Sequence, residues 1–147
     1  MSDSKWAEQL KESFGNEPIV NIPVPFAFEL TTLARGFAVV KMRVVAGMLV
    51  GGGVDIVNGG VMDTLANTAS VYAAMSAIPS GHTPRVNFSV NNIRKAHAGE
   101  TLEAIAIVVS ITDRVVVIRF TVANESNPED VKTIGQAEYW RPKTQKV

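Results

Sequence analysis

Hydrophobic spacing divides the chain into segments of different period. Trp6, Leu10 and Phe14 fall at i, i+4 and i+8, with Lys5, Glu8, Lys11 and Glu12 on the other side. This predicts a short amphipathic helix, capped by Asp3 or Ser4 and stopped by Gly15. Pro18, Pro23 and Pro25 then predict an extended, turn-rich linker, so that residues 1–25 form an appendage to one domain spanning 1–147. Residues 36–45 have the β-branched character of a strand, punctuated by Lys41 and Arg43. Residues 47–60 are rich in glycine and predict a flexible loop. Its Gly51-Gly52-Gly53 is followed by no Gly-Lys-Ser/Thr and fits no GxGxxG spacing, so neither a phosphate-binding loop nor a dinucleotide fingerprint is present.

Residues 59–77 hold a single charge, Asp63, among apolar and small side chains on every side. A helix apolar all round is a buried helix. At 1.5 Å per residue it would run roughly 28 Å. Asn58 is a good N-cap, and Gly59 and Gly60 let another backbone or a ligand approach closely.

Beyond Pro79 and Gly81 the period shortens to two. Over 85–93, Val86, Phe88 and Val90 alternate with Asn87, Ser89 and Asn91. Ala98-Gly99-Glu100 predicts a turn, and residues 101–111 and 114–122 predict a hairpin closed at Thr112-Asp113. Residues 124–130, with Pro128, predict a loop, and 132–140 a last strand ended by Arg141-Pro142. Hairpin-linked strands imply an antiparallel sheet. The economical α+β arrangement curves that sheet around the one buried helix. Both faces of 101–111 are apolar, so the outer sheet face predicts a partner subunit.

Composition removes several classes of function. Lys and Arg number 14, as do Asp and Glu, so the net charge is zero and offers no footprint for nucleic acid or an anionic membrane. There is no cysteine, which excludes disulfides, thiolate catalysis and cysteine-ligated metal. His82 and His97 are the only histidines, too few for a histidine metal cage, so no metal or redox cofactor is expected. The greasiest run, 37–50, is broken by Lys41 and Arg43 and is too short to span a bilayer. Residues 1–6 lack the apolar run of a secretory signal, so the expected compartment is the cytoplasm.

Two blocks carry a family resemblance. Asn58-Gly59-Gly60-Val61-Met62-Asp63-Thr64-Leu65-Ala66-Asn67-Thr68-Ala69 resembles the His-Gly-Gly-x4-Leu-Ala-Asp-x-Ala helix start of hotdog-fold acyl-CoA thioesterases, of the phenylacetic-acid-pathway type. The strand-and-turn block from Val86 to Glu100 resembles the same family, which often has an aromatic at Asn92 and a proline at Lys95. The resemblance covers about residues 30–141. It implies a hotdog fold, a curved antiparallel sheet wrapped around one long central helix. It also implies a homodimer or dimer of dimers (a homotetramer) with the site between subunits, and an acyl-CoA substrate hydrolysed to free acid and CoA.

Particular residues are implicated by position. Gly60 matches the backbone N–H that polarises the thioester carbonyl, with Gly59 beside it; a helix N-terminus favours such an oxyanion. Arg94, Lys95 and Arg85 match basic residues that hold the nucleotide phosphates, and Asn87 lies in the same strand block. Two positions depart from the pattern. Asn58 replaces the histidine, which is mild for a cap. Asn67 replaces the catalytic aspartate, and a carboxamide is no general base, which forfeits about 10²–10⁴-fold. Three accounts follow. Asp63, one turn before Asn67, supplies the carboxylate; or the protein binds acyl-CoA without hydrolysing it; or Asn67 is an Asp-to-Asn form of an active enzyme. Hydratases on this fold need an Asp/His pair at the helix start, which His82 and His97 do not provide.

Overall fold

The computed structural model describes Glu8 and residues 28–78 and 84–141. The expected N-terminal helix and linker, apart from Glu8, and His82 lie outside these residues.

Strands β1 (Phe28–Ala34) and β2 (Phe37–Arg43) form a hairpin turned at Arg35 and Gly36. Gly36 has φ +71, a conformation costly for a residue with a Cβ. A 3-10 turn, Ala46–Met48, leads into a second small hairpin of β3 (Leu49–Gly51) and β4 (Val54–Val57). The long helix α1 (Gly59–Ala77) follows, then β5 (Arg85–Asn92), β6 (Thr101–Ile111), β7 (Val115–Asn124) and β8 (Asn127–Trp140). The main sheet has six strands in the order β1-β2-β6-β7-β8-β5, antiparallel throughout.

The sheet curves around α1, which packs chiefly on β6, β2 and β7. Leu65, Ala66 and Ala69 of the helix are fully buried among Val40, Leu102, Ile118 and Val122. Small side chains let the helix lie close to the sheet. Its hydroxyls are satisfied internally: Thr64 donates to Gly60 O, Thr68 to Thr64 O and Ser70 to Ala66 O. Outward positions of the sheet, in cross-strand register, include Val39, Ile105, Thr121 and Ile134, with Ile107 and Ile134 exposed.

Several expectations are corrected. The loop 47–60 contains the β3–β4 hairpin, in which Gly51, Gly52 and Gly53 all take positive φ. β1 was not anticipated. β8 begins at Asn127, so Pro128 lies in a strand whose pairing with β7 shifts register at Val122–Asn124. The helix is not buried all round either. Asp63, Thr64, Asn67 and Val71 are only partly buried and Gly60 is exposed, which marks one open stripe at helical spacing.

Candidate active site

The open stripe begins at the helix cap. Asn58 takes an extended conformation, and its Oδ1 accepts the Gly60 N–H at 2.8 Å. The Val61 N–H bonds the Asn58 carbonyl at 2.9 Å. A Cβ on residue 60 would stand 3.2 Å from Asn58 Oδ1, so glycine lets the cap close this tightly. The expected oxyanion donor is therefore engaged within the chain. Asparagine at 58 is the reason: its short carboxamide reaches the second N–H of the helix.

Asp63 lies three residues further along. The Asn92 Nδ2 donates to its carboxylate at a long 3.4 Å. Asn92 is oriented by Thr133, whose Oγ1 donates to Asn92 Oδ1 at 2.7 Å. With its oxygen accepting from Thr133, Asn92 turns its amide nitrogen toward Asp63. Asn92 Nδ2 also lies 3.3 Å from where a Cβ on Gly59 would stand, which brings Gly59, Asp63 and Asn92 together.

Asn67 lies seven residues after Gly60 on the same face, about 10 Å along the axis. Its Oδ1 accepts from the Tyr139 hydroxyl at 2.8 Å and from Arg85 Nη1 at 3.3 Å. Guanidinium has no acceptor, so the atom facing it is the oxygen, and the amide nitrogen is the group left over. Tyr139 is wholly buried. Burial pushes its phenol well above the ordinary value, against opposing contributions from the Arg85 charge and a Ser70 hydrogen bond.

Arg85 reaches Asn67 because β5 carries a bulge. Arg85 pairs with Tyr139 and Asn87 with Glu138, so Val86 is the extra residue. Arg85 thus shares the inner face with Phe88, and Val86 is displaced outward. The guanidinium lies over the Phe88 ring, 4.7 Å from its centroid. Phe88 in turn stacks on buried Phe120, centroids 5.2 Å apart and planes 15° from parallel.

The other candidates are dispersed. Asn87 points to the outer face of β5, in the row of Glu138, away from Asn67. Arg94 and Lys95 stand past the opposite end of β5 from Arg85, so the three do not form one basic cluster. Arg94 Nη1 donates to Val131 O at 2.9 Å, and Lys95 is exposed. Their loop is pinned by a residue the sequence reading did not single out, Lys132, which is 4% exposed. Its Nζ donates to Lys95 O at 2.9 Å, Asp130 at 2.8 Å and Glu100 at 3.2 Å. Burial alone would lower its pKa; the bonds to Asp130 and Glu100 more than reverse this, and the ammonium is held above its ordinary value. His97 Nδ1 lies 2.6 Å from Asp55 O, tying this loop to the β3–β4 hairpin. Tyr139 and Thr133 carry no sequence signal either, and Asn92 stands out in the sequence only as a position where the resembling family often has an aromatic. Among the described residues no group of three or more His, Asp or Glu could hold a metal, and no helix is long and apolar enough to cross a membrane.

The sequence profile of the thioesterase superfamily matches residues 55–130, which include Gly59, Gly60, Asp63, Asn67 and all of β5. No curated protein matches the chain by sequence. Among solved structures, the chain is similar to the E. coli PaaI protein from the phenylacetic acid degradation operon. The two are 25% identical over 95% of this chain and 96% of that one, with a TM-score of 0.81. It is also similar to a mutant of the phenylacetic acid degradation protein PaaI from Thermus thermophilus, 25% identical over 79% and 94%, TM-score 0.70. A Streptococcus mutans protein bound to acetyl CoA shares the fold, at 20% identity over 87% and 98% and a TM-score of 0.73.

Proposed function

The chain belongs to the thioesterase superfamily, with a hotdog fold of the PaaI type, and from that premise we propose that it hydrolyses an acyl-CoA thioester to the free acid and CoA. The observation that carries the reading is Asp63 on the open stripe, the one carboxylate of α1, one turn from the glycine pair. In the proposed step the Asp63 carboxylate takes a proton from water. The water oxygen attacks the thioester carbon, the C–S bond breaks, and the CoA thiolate leaves and is protonated. Helix-start N–H groups of Gly59 and Gly60 stabilise the oxyanion, the Gly60 donor being shared with Asn58. Asn92 aligns Asp63. Arg94 and Lys95, on the loop held by Lys132, meet the nucleotide phosphates. The same fold holds acetyl CoA in the Streptococcus mutans protein, so a CoA thioester is a ligand it can take. The exposed apolar outer face, with Ile107 and Ile134, supports a second copy completing the assembly as a dimer or dimer of dimers.

One observation favours a second reading. The family's catalytic-carboxylate position holds Asn67, a carboxamide with no capacity as a general base, and its oxygen is already engaged by Tyr139 and Arg85. On that reading the protein binds acyl-CoA without cleaving it.

Thiol release from a panel of short, long and aromatic acyl-CoAs separates the two. Turnover by the protein, reduced about a hundredfold or more in Asp63→Asn, is expected for the hydrolase. Undiminished turnover in Asp63→Asn removes Asp63 from the mechanism. Binding without turnover establishes the second reading.

A further inference from the structure

Arg85 places a full positive charge beside Asn67 and is paired with no carboxylate among the described residues. One of its N–H groups is committed to Asn67 Oδ1 at 3.3 Å, and one face of its guanidinium rests on Phe88. The remaining donors have no partner among the described residues. Asn67 is in a similar state: its oxygen is saturated by Tyr139 and Arg85, which leaves its Nδ2 hydrogens. The Tyr139 proton is spent on Asn67. What this part of the stripe offers a ligand is therefore two kinds of donor and one positive charge, against an aromatic pair, Phe88 and Phe120. An aspartate at position 67 would neutralise the guanidinium; the asparagine leaves the charge uncompensated.

We infer that Arg85 and Asn67 form a carboxylate-binding site, complementary to a carboxylate carried on an apolar stem. Guanidinium matches a carboxylate in geometry and charge, and such bonds are shorter and stronger than neutral ones. The carboxylate has two sources: the free acid released by hydrolysis, or the far end of a dicarboxylic acyl group. Only this choice of source rests on the function proposed above; the receptor itself does not.

Calorimetric titration of the intact protein with benzoate and with benzamide tests the receptor. Benzoate is expected to bind at least about tenfold more tightly, as expected for charge-assisted bonds. Arg85→Gln should erase the difference. Asn67→Asp should also erase it, by repelling the anion and pairing with Arg85. The source is read from glutaryl-CoA against pentanoyl-CoA, equal in chain length. Glutaryl-CoA bound about tenfold more tightly, with the advantage lost in Arg85→Gln, assigns the acyl end. Equal binding of the two thioesters, with benzoate still preferred to benzamide, assigns the released acid. Benzamide binding as tightly as benzoate in the unmutated protein, with glutaryl-CoA no better than pentanoyl-CoA, overturns the inference, and this comparison needs no variant to fold. Carboxylate binding without thiol release sinks the hydrolase and leaves the receptor standing; thiol release without carboxylate preference does the reverse.

Discussion

The Tyr139 hydroxyl donates to Asn67 Oδ1 at 2.8 Å and so ties the last strand to the middle of the central helix, across 72 residues of sequence. Tyr139→Phe keeps the ring and removes the donor. Arg85 still serves Asn67, so the cost is that of one hydrogen bond, about 1 kcal/mol. Thermal unfolding should drop by roughly 3 °C.

The same phenol gives a pH prediction. Its folded pKa is raised above the ordinary 10.0, chiefly by burial, so the folded state holds the proton more tightly than the unfolded chain. The associated stability is whole below pH 10 and is lost as pH rises further. Ultraviolet titration of phenolate absorbance should show Tyr139 ionising only with alkaline unfolding, and Tyr139→Phe should flatten that part of the stability curve.

Lys132→Met removes the one cation between Asp130 and Glu100 and leaves Lys95 O without its donor. Breaking such a buried pair costs about 3 kcal/mol, the low end of the usual range because both carboxylates keep some solvent. Denaturant titration should show that loss. Hydrogen exchange should show the Arg94–Lys95 loop opening well before the sheet.

Gly135 lies in β8 opposite Phe120 and Val90. A Cβ there would collide with the Ser89 carbonyl oxygen and the Phe120 ring. Gly135→Ala should destabilise by about 2 kcal/mol, as overpacking does. Because Phe120 supports Phe88 and Phe88 supports Arg85, carboxylate binding should weaken as well, which calorimetry on the folded variant would report.

Asn58→Ala removes the helix cap and should cost about 1 kcal/mol in a thermal melt. It also releases the Gly60 N–H. If that group stabilises the oxyanion, kcat for thiol release should rise despite the lower stability; a fall would give Asn58 a direct role at the substrate.

The helix was legible because its evidence is local: a run of apolar and small side chains with one charge, at Asp63, and the cap at Asn58. The β6–β7 hairpin was legible for the same reason. What escaped shares one cause. Over β1 the apolar residues Phe28, Leu30 and Leu33 break a period of two, because the pairing slips between Leu30 and Thr32. The slip between Arg85 and Asn87 turned Arg85 inward where alternation assigned Val86. The slips near Asn124 hid the first residues of β8. A bulge adds a residue without changing composition, so periodicity misses it. The partners of Asn67 escaped for a different reason. Spacing says which face a residue occupies but not which distant strand faces it, and Tyr139 and Arg85 come from two different strands.

Placing a guanidinium over the Phe88 ring has a spectroscopic consequence. Protons above an aromatic face feel its ring current, so the Arg85 side chain should resonate upfield of a free arginine. Any ligand that draws the guanidinium off the ring would move those signals back. Occupancy of the site could then be followed in solution, residue by residue, with no label attached to the protein.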